Sequence, residues 1–218
     1  MVAVDFCNRG REAVASVPFQ LAGLPPFDMR GKRVLEIGCA TGYHLTHSAY
    51  GGAAERCGID IDAKAIATGR KLYPELNLLV ARGEAIPFGD GHFDAVLSRI
   101  ALPYMDIPTV LAEMNRVMKP GGYLFASWHD WQGIKQWLLT PGHPLTWKRA
   151  LDLFYIVAAS IAYRASGRIP PRPWSGTRET FQFRKHIPII LMAAGFVDVT
   201  CERSEFHLRS TARKTVKR

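Results

Sequence analysis

Two carboxylates and two glycines at fixed spacing are the first residues in this chain that could do chemistry together. Glu36 sits in the apolar run Val34-Leu35-Glu36-Ile37, and Gly38-Cys39-Ala40-Thr41-Gly42 follows directly. A second apolar run, Cys57-Gly58-Ile59, ends in Asp60, with Ile61 and Asp62 beyond it. A strand closed by a Gly-x-x-x-Gly turn, a helical run, and a second strand ending in an acid form the layout of a βαβ nucleotide-binding unit. In such a unit the glycines let a ligand approach the backbone, and the second acid can accept from ribose hydroxyls. The two glycines alone are compatible with an ordinary strand-to-helix turn; the two acids argue against that plain reading.

The glycine spacing narrows the ligand. A loop that holds a pyrophosphate wants a further glycine between these two, and Ala40 stands there. Glu36 would also place a negative charge near any phosphate. A nucleoside with a cationic end suits the loop better, and S-adenosylmethionine, with its ammonium and sulfonium, is such a ligand. The stretch from Arg33 to Asp62 closely resembles the first motif and following strand of class I S-adenosylmethionine-dependent methyltransferases. Two further stretches resemble the same family. Gly83 to Ser98 contains Ile86-Pro87-Phe88 and Phe93-Asp94, and Glu113 to Gly122 runs through Arg116-Val117-Met118-Lys119-Pro120-Gly121-Gly122. In order and spacing the three cover roughly residues 33–128 and are most similar to the small-molecule and quinone-type members. The resemblance implies a Rossmann-like class I methyltransferase fold in α/β, with a mostly parallel seven-stranded sheet and an antiparallel last strand.

The resemblance also implies roles. The backbone of Gly38, Cys39, Ala40, Thr41 and Gly42 should line the methionine part of the cofactor, and Glu36 should attract its ammonium through water. Asp60 should take the ribose hydroxyls and Ile61 should pack on the adenine, while Asp62 should cap the next helix. At the adenine edge the family often has Asp or Asn followed by Ala; this chain has Arg82-Gly83-Glu84, and an arginine cannot accept from an amino group. Backbone groups or Glu84 would have to serve. Ser98 and Arg99 should lie near the methionine end or the substrate. Methyl transfer from a sulfonium depends chiefly on positioning, and acidic acceptors need only a base or none. His129, just past strand five, is the candidate catalytic base, with His44 second; each is equally readable as a loop histidine without a role. The Asn/Asp-Pro-Pro-Tyr element of nucleobase amino-methyltransferases is missing, since Leu102-Pro103-Tyr104 comes too late and lacks the amide.

The elements that must hold these residues read as follows. Strands are expected at Arg33–Ile37, Arg56–Ile61, Leu76–Ala81, from Phe93 to Ser98, at Tyr123–Trp128, Phe196–Thr200 and Glu205–Leu208. Helices are expected at 9–22 (imperfect, broken by Pro18), 43–50, 62–72, 107–118, 131–140, 148–166 and 185–194, with a frayed tail from Arg213. Ile169-Pro170-Pro171-Arg172-Pro173-Trp174 reads as a stiff, extended loop.

The chain has 218 residues, 48% hydrophobic and 22% charged, which suits one domain with a packed core rather than disorder. Residues 129–185 are expected to be a substrate-covering insertion within that domain. The apolar run Leu151–Tyr163 is too short to span a bilayer, which takes ~20 residues; a core helix, a lid and an interfacial helix stay open. The four cysteines, Cys7, Cys39, Cys57 and Cys201, show no metal spacing, so no metal is expected and a reducing, cytoplasmic setting is. The N-terminus lacks a basic region before an apolar core and does not read as a signal peptide. Net charge is +9 and uneven: residues 1–130 hold 13 Lys+Arg against 14 Asp+Glu, and residues 131–218 hold 15 against 5. That asymmetry suits an anionic small molecule, a membrane surface or nucleic acid. A small-molecule acceptor is the first reading. RNA is the second, supported by Trp131, Trp137, Trp147 and Trp174 among the basic residues. A NAD or nucleotide-sugar protein, or a silent adenosine binder, is the reading from another class.

Overall fold

The computed structural model describes residues 25–130, 146–204 and 207–216. The expected helices at 9–22 and 131–140 lie outside them. Seven strands, β1 (Arg33–Ile37), β2 (Glu55–Asp60), β3 (Asn77–Val80), β4 (Phe93–Arg99), β5 (Met118–Trp128), β6 (Phe196–Arg203) and β7 (Leu208–Lys214), form one sheet in the order β3-β2-β1-β4-β5-β7-β6. Every pairing from β3 through β5 is parallel, and β7 runs antiparallel to both its neighbours. The strand order reverses between β1 and β4, and a ligand crevice belongs outside the carboxyl ends of those two strands.

Both faces of the central strands are covered, which is why they read as nearly continuous apolar runs. Alternate residues go to opposite faces: Leu35, Ile37 and Val96 join one core with Val110 and Met114, while Val34, Ala95 and Leu97 join the other with Leu45 and Tyr50. Glu36 shares the parity of Val34, so the sequence alone aims it at the layer containing Tyr50. Helix α1 (Ala63–Leu72) is capped by Asp62, whose Oδ1 accepts from the Lys64 and Ala65 amides at 2.8 and 3.1 Å. Helix α2 (Ile107–Val117) is capped in the same way by Asp106. Helix α3 (Trp147–Ser166) buries Tyr155, Ile156, Ala159 and Tyr163 in the same core as α2, and α4 (Ile187–Ala193) precedes the final hairpin.

Three expectations need correction. The segment 43–50 is not one helix but two short 3₁₀ turns, Tyr43–Thr46 and Ser48–Tyr50. His47 between them is extended (φ −61°, ψ 145°), and its Nδ1 accepts from the Ala49 amide to start the second turn. Strand β5 begins at Met118, five residues early. Helix α2 stops at Val117, Met118 already pairs with Phe93, and the register then shifts before Tyr123 meets Ala95. The last strand is Leu208–Lys214 rather than Glu205–Leu208, so Arg213 and Lys214 are sheet residues and not a frayed tail.

Candidate active site

The loop after β1 is shaped by its backbone. Gly38, Ala40 and Gly42 all have positive φ, at 73°, 49° and 79°. A side chain on Gly38 would place its Cβ 2.2 Å from Ala101 Cβ, so the Gly38 backbone packs directly on the Ala101 methyl of the turn after β4. Ala40 is held in a conformation that L-residues visit sparingly, and its amide donates to Asp60 Oδ2 at 2.8 Å. The other oxygen, Oδ1, accepts from the Asp62 amide at 2.9 Å. One carboxylate at the tip of β2 thus ties together the loop after β1 and the start of α1. Ile61, next to it, is 70% exposed, an unusual position for a branched apolar side chain unless a ligand covers it.

Two glycines not singled out from the sequence complete this cradle. A Cβ on Gly69, inside α1, would lie 2.3 Å from the Thr41 carbonyl, and one on Gly58 would lie 2.6 Å from Cys39 Sγ. An isolated glycine within a helical pattern is the sequence signal for such close approach. Cys39 is buried, and burial together with Glu36 and Asp60 pushes its thiol well above the usual range; it packs rather than reacts.

Glu36 is fully buried. Burial alone would raise its carboxyl, but the Arg99 guanidinium and His44 outweigh that and hold it below the usual carboxylate range. Arg99, at the end of β4, donates to both Glu36 Oε1 and the Tyr50 hydroxyl, and His44 Nδ1 lies 3.6 Å from the same Oε1. Burial pushes the Tyr50 phenol up to about 12. Ser98 and Arg99 end β4, beside the loop after β1, and Arg99 pairs with the buried Glu36. Glu36 Oε2 and Ser98 Oγ are buried polar atoms with no protein partner. Ile100, directly after, has φ 58°, a strained setting for a β-branched residue.

Of the residues expected at an adenine edge, Arg82 and Glu84 approach each other at 3.5 Å, and Glu84 Oε1 accepts from the Asp106 amide. The lack of a side chain at Gly83 admits Met105, whose sulfur would lie 2.9 Å from a Cβ there.

A second constellation lies past β4 and β5. The Tyr104 hydroxyl is 3.1 Å from His129 Nε2. Desolvation, then the nearby His207, push the His129 imidazole down to about 4, so at neutral pH it is uncharged and can accept. Glu179 lies against the Tyr104 hydroxyl, and desolvation with that carboxylate holds the phenol above its ordinary range. Glu179 itself pairs with Arg172, which also reaches Asp152 at 3.7 Å and stacks 5.0 Å from the centre of the Tyr155 ring. Backbone bonds from Thr180 to Pro103 and from Gln182 to His129 lay this segment along both turns. Sequence reasoning named His129 but not the Tyr104, Glu179 and Arg172 around it, whose meeting depends on the path of residues 167–182.

The sheet order and strand directions are those of the Rossmann-like fold seen in solved S-adenosylmethionine-dependent methyltransferases. A protein-family model described as a methyltransferase domain matches residues 35–126. The chain is similar to a probable phthiotriol/phenolphthiotriol dimycocerosates methyltransferase of Mycobacterium ulcerans, 30% identical over 178 residues that cover 77% of this chain and 63% of that protein. It is similar to a fatty-acid O-methyltransferase of Mycolicibacterium smegmatis, 35% identical over 117 residues, 50% of this chain and 42% of that one. The chain spans between 37% and 63% of the length of the curated relatives it matches. Among solved structures, the fold matches a 1,6-didemethyltoxoflavin N1-methyltransferase of Burkholderia thailandensis crystallised with S-adenosylhomocysteine, at TM-score 0.60 and 18% identity, over 98% of this chain and 85% of that one.

Proposed function

We propose that this protein transfers the methyl group of S-adenosylmethionine to a small acceptor with an apolar body and a hydroxyl, phenol or carboxyl group. The residues at the β1/β4 crevice fit the cofactor. The loop from Gly38 to Gly42 offers open backbone, Asp60 keeps lone pairs beyond its two amide bonds, and Ile61 offers an exposed apolar face. The unpartnered Glu36 oxygen suits an ammonium group. When bound, the cofactor supplies a methyl group already activated by a sulfonium.

The observation that carries the acceptor reading is the neutral His129 held against Tyr104. An acceptor hydroxyl that gains a methyl must lose a proton. Tyr104 can take that proton as it passes its own to His129 Nε2, whose uncharged ring keeps a lone pair for it even though burial makes it a weak base. Thr180, Phe181 and Gln182 are buried beside this pair, while Tyr104 itself stays 45% exposed and within reach of an entering acceptor. We further read residues 129–185 as the wall that shapes the acceptor pocket: the described part of that stretch contributes Tyr155, Ile169 and Phe181 to the common core rather than forming one of its own. The relatives above, named for methylating a fatty acid and dimycocerosates, support an apolar acceptor.

The test is turnover with methyl-labelled S-adenosylmethionine over a panel of fatty acids, quinols, phenols and short RNAs. Label should enter at least one apolar acid or phenol; for a phenol or hydroxyl acceptor His129→Gln should slow it far more than it weakens cofactor binding, whereas a carboxylate, already without its proton, should be little affected. Label entering RNA alone would replace this reading with the rival one.

A further inference from the structure

Helix α3 is apolar on both sides, and only one side is packed. Its inner face, Tyr155, Ile156, Ala159 and Tyr163, lies in the core. Its outer face carries Trp147, Leu151, Phe154, Ala158 and Ile161, spaced 4, 3, 4 and 3 residues apart. Such spacing makes one continuous stripe along a helix, about 21 Å long at 1.5 Å per residue. Trp147 and Phe154 are each 72% exposed, Ile161 61% and Leu151 40%. A contiguous exposed stripe of this kind marks an interaction site.

The surroundings say what covers it. The one acid of the helix, Asp152, is drawn toward Arg172. One turn beyond Ile161, Arg164 opens a groove that it shares with Arg184, Lys185 and Arg203 around Phe183 and Ile189. Arg164 lies 5.5 Å over the Phe183 ring, and among the described residues the carboxylate paired with these cations is the buried Asp130, on Arg203. Residues 131–218 hold 15 basic against 5 acidic residues. A second copy of the chain would bring like charges together across the stripe, whereas an anionic bilayer presents apolar chains beneath negative headgroups. No helix among the described residues is long and apolar enough to cross a membrane, so the arrangement is one for lying on a surface.

We propose that the outer face of α3 docks on an anionic lipid bilayer, with Trp147, Leu151, Phe154 and Ile161 entering the interface and the Arg164–Lys185 groove receiving lipid phosphate. Trp147, at one end of the stripe, is placed for the headgroup level, where an indole has both apolar and polar surroundings. The inference rests on this surface and not on the identity of the acceptor, and its test needs no turnover.

The full chain is sedimented with vesicles of equimolar phosphatidylcholine and phosphatidylglycerol, and with phosphatidylcholine alone. Binding is expected to the anionic vesicles only, and to fall as salt is raised. Phe154→Glu should weaken it at least tenfold, and Lys185→Gln by about fivefold, the worth of one basic residue near such a surface. Both side chains point to solvent, so melting temperatures should stay unchanged and exclude misfolding as the cause. No binding to either vesicle, or equal binding to both, would overturn the proposal. So would a dimer in sedimentation equilibrium that Phe154→Glu dissociates while vesicles are ignored.

Discussion

Replacing Arg99 by Met would test the electrostatic design of the site most sharply. Met fills a similar volume but leaves Glu36, fully buried, without its cation, and leaves the Tyr50 hydroxyl without its donor. Removing one partner of a buried pair costs ~3–5 kcal/mol, and in a domain of this size each kcal/mol moves the melting temperature by ~2–4 °C. A drop of roughly 6–20 °C is therefore expected at pH 7. The sign with pH follows from the direction of the Glu36 shift. In the native protein its carboxyl lies below the ordinary 4.5, so the pair's contribution is present above that value and lost as pH falls through the folded pKa. In the variant, burial acts unopposed by Arg99 and raises the carboxyl; the penalty is full at high pH and is relieved as acidification neutralises the group. Urea unfolding at pH 7 and pH 5 should show the gap between native and variant narrowing at the lower pH. Adding Glu36→Gln to Arg99→Met should recover more than half of the loss. A loss under about 1 kcal/mol, the level of an exposed pair, or a gap that widens on acidification, would refute the reasoning.

Other outcomes follow from the same geometry. Asp60→Ala should weaken cofactor binding at least tenfold in calorimetric titration, since charged hydrogen bonds are worth ~1.5–3 kcal/mol each; Asp62→Ala should cost ~1 kcal/mol of stability through the lost cap and leave affinity nearly unchanged. Gly69→Ala should destabilise the fold in urea titration despite the better helix propensity of alanine, because its Cβ meets the Thr41 carbonyl at 2.3 Å. If His129 takes the acceptor's proton, the acid limb of kcat/KM should fall near pH 4 rather than at the ordinary histidine value. Tyr104→Phe should lower kcat while leaving S-adenosylhomocysteine affinity intact, measured by titration.

Much of the frame was legible because it is written in local patterns. The apolar runs of β1, β2 and β4, the acids at their ends and the Asp62 cap all depend on residues close in sequence. What was missed depends on distant partners. Arg99 lies 63 residues from Glu36, and no spacing rule announces that the two share one buried pair. Strand β7 reads as a basic tail because Arg209 and Arg213 flank small residues. Only the β5 and β6 edges on either side turn Leu208, Ser210 and Ala212 into an inward face. The segment 43–50 has helical composition, but Gly42 enters it at φ 79° and His47 is extended, so each turn is too short to go on as an α-helix. From sequence, Ile169 to Trp174 reads as a stiff, extended loop and nothing more. The link of Arg172 and Glu179 to Tyr104 arises only after α3 has docked.

Ligand-induced stabilisation tests the central claim, a β1/β4 crevice built for a cationic adenosyl cofactor, most directly. S-adenosylhomocysteine and NAD are added separately to the full chain at saturating concentration and the melting temperature is followed. A ligand at 100 times its dissociation constant contributes ~2.7 kcal/mol. The account predicts that S-adenosylhomocysteine raises the transition by roughly 5–11 °C, that Asp60→Ala loses most of this rise, and that NAD has no effect. A rise with NAD and none with S-adenosylhomocysteine would contradict it.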